Sequence, residues 1–274
     1  MANPIIGRPD AFARDGAPQQ AYMQQPGYAQ QAFSQQGYVQ DPRLQQVPQP
    51  GGVMTLDDVI AKTAITLGTV FAVAVAAFMI VPLQWLTATL IISAIAGLVT
   101  VLFVAGRRKV PVGGVLFYAA VEGIFIGVIS KFFEYQFPGI VVSAVLATFV
   151  TAGVTLAAYK FFNIRVTPKF RKMITIGTIA FAGVMLVNFV LALLNIDTGL
   201  RGIGSGAGML AIAVSILAVA LAVMNLVVDF DSVERGIQMQ APASESWRAA
   251  LGITVTMVWL YVEILRILSY FRNN

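Results

Sequence analysis

Among the acids within or at the ends of the long apolar runs of this 274-residue chain, five could carry chemistry: Glu122, Asp229, Asp231, Glu234 and Glu263, with Arg266 three residues beyond the last. A charged side chain in hydrocarbon costs about 2.5 to 3.5 kcal/mol on insertion scales, so each of these acids requires a compensating partner or a use. The chemistry open to a carboxyl group held away from water is taking up and releasing a proton, or passing a cation. The chain has no His and no Cys. Imidazole switching, disulfides and thiolate metal sites are therefore excluded, and any proton switch must use carboxyl groups.

Glu122 falls near the middle of its run beside Ala119, Ala120, Gly123 and Gly127, small residues that suit close helix packing. It reads either as a protonated acid bonded to a neighbouring helix or as part of an ion or proton path. Glu263 and Arg266 share a helical face and can form an internal ion pair, with Arg266 as counter-charge or reaching outward towards water. Asp229, Asp231 and Glu234 stand where their run would leave the hydrocarbon. Successive helical residues advance by roughly 100°, so Asp229 and Asp231 point in nearly opposite directions and at most one faces the bundle axis. Asn188 and Asn225 are polar residues suited to bonding between helices.

Enzyme readings fail on residue type. Gly202-Ile203-Gly204-Ser205-Gly206 lacks the serine-protease spacing, and no His exists to activate Ser205; its glycines fit a flexible outer loop. There is no Gly-x-Gly-Asp stretch for an intramembrane aspartyl protease and no Lys in the last run for a retinal Schiff base. No phosphate-binding or metal-ligand motif is present. The sequence predicts a protein that is not an enzyme and holds no cofactor.

The elements that must position these acids are set by composition. Hydrophobic residues make up 58% of the chain and charged ones 11%, against roughly a quarter charged in soluble domains. Apolar blocks near 56–81, 85–105, 112–132, 140–159, 173–194, 208–230 and 249–270 each reach the roughly 20 residues that cross hydrocarbon. Helices are expected, because they satisfy their own backbone bonds in lipid. Thr55-Leu56-Asp57-Asp58 supplies an N-cap with an acid three positions on, and Pro82 stops the first helix. Residues 1–52 form a Gln-, Pro- and Tyr-rich tail, with Gln pairs at 19, 24, 30 and 35. It is too poor in aliphatic residues to offset its ordering entropy and is expected to be disordered. The division is thus a tail over 1–52 and a membrane domain over 53–274.

The net charge of +5 does not indicate nucleic acid, because Lys and Arg fall in short groups between apolar blocks. Alternate connections carry them: Arg107, Arg108 and Lys109; then Lys160, Arg165, Lys169, Arg171 and Lys172; then Arg235 and Arg248. The other connections hold Lys131 and Arg201. The positive-inside rule places the first set and the amino-terminal tail in the cytoplasm. Trp85 and the Phe132, Phe133, Tyr135, Phe137 group then fall at the outer interface as aromatic anchors.

Residues 53–272 resemble the Bax inhibitor-1 (TMBIM) family, in its bacterial branch with a polar amino-terminal extension. The likeness is carried by Asp229-Phe230-Asp231-Ser232 and Trp259-Leu260-Tyr261-Val262-Glu263-Ile264-Leu265, supported by Glu122-Gly123-Ile124-Phe125-Ile126-Gly127 and Arg165-Val166-Thr167-Pro168-Lys169-Phe170. The resemblance implies an all-α integral membrane bundle of seven helices in which six surround helix 7. It also implies a pH-regulated leak of calcium or other cations through the cell membrane, gated by an acid on helix 6 bonded to an acid on helix 7. Glu263 takes the helix 7 part, where the family usually has Asp. For helix 6 the aromatic-Asp-small pattern favours Asp231, and depth favours Asp229. Two acids forced together in low dielectric share a proton and titrate as a unit. Calcium would be a transient occupant, since it prefers several oxygen ligands. A second implication is an interaction protein that regulates a membrane-anchored protease or a stress response, with the tail as tether.

Overall fold

A computed structural model describes residues 52–162 and 164–272; the tail expected over 1–52 lies, apart from Gly52, outside the described residues. Seven helices follow: α1 (Leu56–Ile80), α2 (Leu86–Ala105), α3 (Val112–Gln136), α4 (Ile140–Phe161), α5 (Pro168–Leu193), α6 (Met209–Gln238) and α7 (Glu245–Tyr270). Each is long and apolar enough to cross a membrane. Among the described residues no strand forms; a lone bridge pairs Val53 with Pro242.

The helix starts follow local chemistry. Thr55 caps α1 by accepting from the Asp58 amide at 3.2 Å, and the chain leaves the helix at Val81 before Pro82. Thr167 accepts from the Phe170 amide at 3.2 Å, with Pro168 in the first turn of α5. A proline costs nothing there, because its missing N–H would have no helical partner. Several helices outrun their apolar blocks. α5 begins at Pro168 rather than 173, α6 continues to Gln238 rather than 230, and α7 begins at Glu245 rather than 249. Arg171 and Arg235 pair with Asp231, and Arg248 pairs with Glu245, so these charges end the apolar run without ending the helix.

α7 is the axis. Twenty of its residues, from Glu245 to Ser269, are buried, whereas α5 buries only Ile174 and Thr178. α1, α3, α4 and α6 make most of the packing on α7, while α2 packs chiefly on α3 and α5 on α6. α5 reaches α7 through the Phe181 ring, stacked on Trp259 at 5.8 Å.

Lipid tails are as apolar as leucine, so close van der Waals fit has to hold the helices together. The α1–α3 seam shows this. A Cβ on Gly123 would stand 2.7 Å from Val73 Cβ, and one on Gly127 would stand 2.8 Å from Ala77 Cβ. Glycine at both positions lets the two backbones touch. The aromatic group at the far end of α3 divides between two roles. Trp85, Phe132 and Tyr135 are exposed as interfacial anchors should be. Phe133 and Phe137 are instead buried against α7, packed with Ile264 and Leu265; the rotation of about 100° between successive residues turns Phe132 to lipid and Phe133 to the core.

Two ends of the bundle can now be distinguished. The amino end carries the starts of α1, α3, α5 and α7, and the opposite end carries the α5–α6 connection, residues 194–208.

Candidate functional site

α7 holds charged or polar groups at three levels. At the amino end, Arg248 pairs with Glu245 at 2.6 Å and donates to the carbonyls of Arg108 (2.5 Å) and Arg107 (3.2 Å). Both side chains are buried. This cluster ties the start of α7 to the α2–α3 turn and explains why the helix begins so early.

At mid-depth, Thr256 Oγ1 donates to Asp229 Oδ2 of α6 at 2.6 Å. Asp229 is 1% exposed. One turn earlier on α6, Asn225 donates to Thr178 of α5 at 2.8 Å, the interhelical role its sequence setting suggests. Asp231 points the other way, as the helical rotation requires. It is met by Arg171 of α5 at 2.5 Å and by Arg235 at 2.9 Å. Arg171 also donates to Ser232 and Arg235 to the Val166 carbonyl, while Tyr159 of α4 donates to Glu234 at 2.6 Å. Asp231 therefore belongs to a network that binds α4, α5 and α6 at the amino end, away from the α7 axis.

At the far end, Glu263 is 1% exposed and its two oxygens are held by one guanidinium: Arg201 Nη2 to Oε1 at 2.8 Å and Nη1 to Oε2 at 3.1 Å. Arg266 Nε stands 3.7 Å from Oε2, an ion pair too long for a hydrogen bond. Arg266 Nη1 donates instead to the Arg201 carbonyl at 2.9 Å, so Arg266 turns inward and does not reach outward to water. The Gly204 amide donates to Ser269 Oγ at 3.1 Å. Gly204 has φ +73, and a Cβ there would come within 3.1 Å of the Phe137 ring, so glycine is needed both for the turn and for the approach. The α5–α6 connection thus folds over the end of α7 and inserts Arg201 beside Glu263.

Glu263 and the two helix 6 acids have different partners here: Arg201 for Glu263, Thr256 for Asp229 and Arg171 for Asp231. Neither Asp229 nor Asp231 is the group that grips Glu263. Thr256, the partner of Asp229, precedes Glu263 by seven residues, about 10 Å along the helix. Because α6 and α7 run antiparallel, the part of α6 level with Glu263 lies near Ala222, in an apolar cluster with Leu260 and Ile264. Glu122 is separate again. It lies on the α2–α3 seam in the slot left by Gly97, whose added Cβ would stand 2.8 Å from Glu122 Oε2. Its side-chain bond is to Tyr118, one turn back.

Arg201 joins the candidate site, although by sequence it stands out only as a topology marker. Its signal was indirect: a solitary arginine directly before a glycine-rich run that can bring backbone close to a helix end. Two guanidinium groups now share one carboxylate there, leaving a local excess of one positive charge. Among the described residues no three acids gather as a metal site.

The comparisons agree with this architecture. No curated protein matches the chain. The family model described as Bax inhibitor 1 like matches residues 3–273, nearly the whole length, and so this multi-span membrane protein belongs to the Bax inhibitor 1 like family.

Proposed function

We propose that the protein is a pH-regulated leak pathway for calcium or other cations, running beside α7 and closed at its far end by Arg201. The observation that carries the reading is the nearly fully buried Glu263, gripped on both oxygens by an arginine from a connecting loop. Glu263 and Asp229 are two carboxyl stations about two helical turns apart on the same axis. In the closed state Arg201 is a tethered cation that occupies the site a passing cation would use. Protonation of Glu263 removes the charge that holds Arg201, so acid on the loop side loosens the cover. The charged groups facing Glu263 are Arg201 and Arg266.

Calcium takes six to eight oxygens, and the stations offer single carboxyl groups with hydroxyl and carbonyl oxygens around them. That suits transit and not storage. The reading is of a transport protein and not an enzyme. The positive-inside rule assigns the basic amino end, with the tail, to the cytoplasm of a cell membrane, and the Arg201 cover to the outside. In proteoliposomes loaded with a calcium indicator, influx should rise on acidification of the loop side, and Glu263→Gln should abolish that response. An unaltered pH response in Glu263→Gln would remove the assignment.

A second reading, a regulator of a membrane-anchored protease, is favoured by how the tail is attached. The Met54 amide donates to the Ala241 carbonyl at 2.7 Å and the Ala243 amide to the Gly52 carbonyl at 3.1 Å. A partner bound to the tail would pull on the connection that precedes α7. Deleting residues 1–50 separates the readings: a leak pathway keeps its flux, whereas a tail-dependent regulator loses its partner.

A further inference from the structure

α1 and α4 both pack on α7 yet make little contact with each other. Between them lies a groove of about 280 Å³. Its rim is formed by Phe71, Val75 and Met79 of α1 and Phe149 of α4, all exposed. Its floor is α7, through Met257, Val258 and Tyr261. The few polar atoms nearby are already used: Ser130 Oγ and Tyr261 Oη are bonded at 2.7 Å, and Thr148 Oγ1 donates to the Ala144 carbonyl at 2.7 Å. An occupant therefore meets hydrocarbon.

The groove has the depth of one leaflet. It runs along α1 from Leu67 to Met79, about 18 Å at the helical rise, against roughly 15 Å for half of a bilayer's hydrocarbon core. At its shallow end stands Lys131, whose Nζ donates to the Val81 carbonyl at the end of α1 at 2.6 Å. An ammonium group has three donors. The acid closest in sequence, Glu134, is engaged by the Gly139 and Val141 amides at 2.6 and 3.1 Å, and among the described residues no carboxylate pairs with the cation at the mouth.

We propose that this groove is a phospholipid site, with one acyl chain lying on α7 between α1 and α4 and the phosphate at Lys131. Charge and depth together choose this occupant over a detached hydrocarbon, which would leave Lys131 unused. The site puts lipid in contact with α7 between Thr256 and Glu263, the two residues that mark its mid-depth and far-end stations.

The test uses the full chain in phosphatidylcholine vesicles containing a small fraction of phosphatidylglycerol that bears a diazirine midway along one acyl chain. After photolysis, adducts are mapped by peptide mass spectrometry. Adducts should concentrate on Met257, Val258 and Tyr261 and on the facing sides of α1 and α4. Val75→Trp, which fills the groove from its rim, should lose them while keeping the ordinary lipid adducts on Ile179 and Val187 of α5; those α5 adducts also report that the variant is folded. Lys131→Gln should weaken groove labelling by the phospholipid probe and leave unchanged the labelling by a diacylglycerol carrying the same diazirine. Adducts no denser in the groove than on α5, or absent from α7, overturn the proposal. So does a cross-link through α1 or α4 between two protein chains, which would put a second copy in the groove.

Discussion

Replacing Arg201 by Gln is the most direct perturbation of the proposed cover. The guanidinium makes two bonds to Glu263, and the two side chains are 22% and 2% exposed. Removing one partner from a fully buried ion pair costs about 3 to 5 kcal/mol. Arg201 is a fifth exposed and rehydrates when it leaves, and Glu263 keeps the Arg266 charge at 3.7 Å, so the loss to the closed state should be nearer ~2 kcal/mol. At 1.4 kcal/mol per tenfold, that raises the open population roughly 30-fold until opening saturates. Calcium entry into indicator-loaded proteoliposomes at neutral pH reads this directly. Arg201→Lys keeps the charge but loses the two-pronged geometry, and should fall between wild type and Arg201→Gln. In the Arg201→Gln, Glu263→Gln double variant the first substitution should add nothing to the second, because its partner is gone. A leak in Arg201→Gln equal to that of wild type, or two single effects that simply add, would refute the tethered-cation reasoning.

Two further outcomes follow from the packing. Thr256→Val removes the 2.6 Å donor to Asp229, a bond to an acidic group worth about 1.5 to 3 kcal/mol. Thermal unfolding in detergent should detect the loss, and Thr256→Ser should restore stability; equal midpoints for Val and wild type would show that the bond contributes nothing. Gly127→Ala places a methyl group 2.8 Å from Ala77 Cβ, an overpacking expected to cost about 1 to 3 kcal/mol. The same addition at Gly153, where nothing lies within 4 Å, should be neutral or slightly stabilising, so equal midpoints for the two variants would contradict close packing at the α1–α3 seam.

How far each feature was legible depended on whether its cause was local. The seven spans, the Thr55 start and the opposite orientations of Asp229 and Asp231 follow from run length, capping and helical rotation, which neighbouring residues set by themselves. The helix ends at Gln238 and Glu245 were less legible, because hydropathy registers a charge but not the partner that neutralises it. The same limit hid the difference between Phe132, facing lipid, and Phe133, facing α7.

What the sequence by itself determined is a helical membrane protein with a few acids in apolar runs, for unbroken apolar runs of about 20 residues suit helices, which satisfy their own backbone bonds in lipid. Tertiary structure decided which acid meets which partner. Arg201 and Glu263 are 62 residues apart, joined by a connection that folds back over the end of α7, and nothing in the local pattern of either residue encodes that meeting. The antiparallel register of α6 and α7 fixed the rest, setting Asp229 beside Thr256 and leaving Glu263 to be neutralised from the loop.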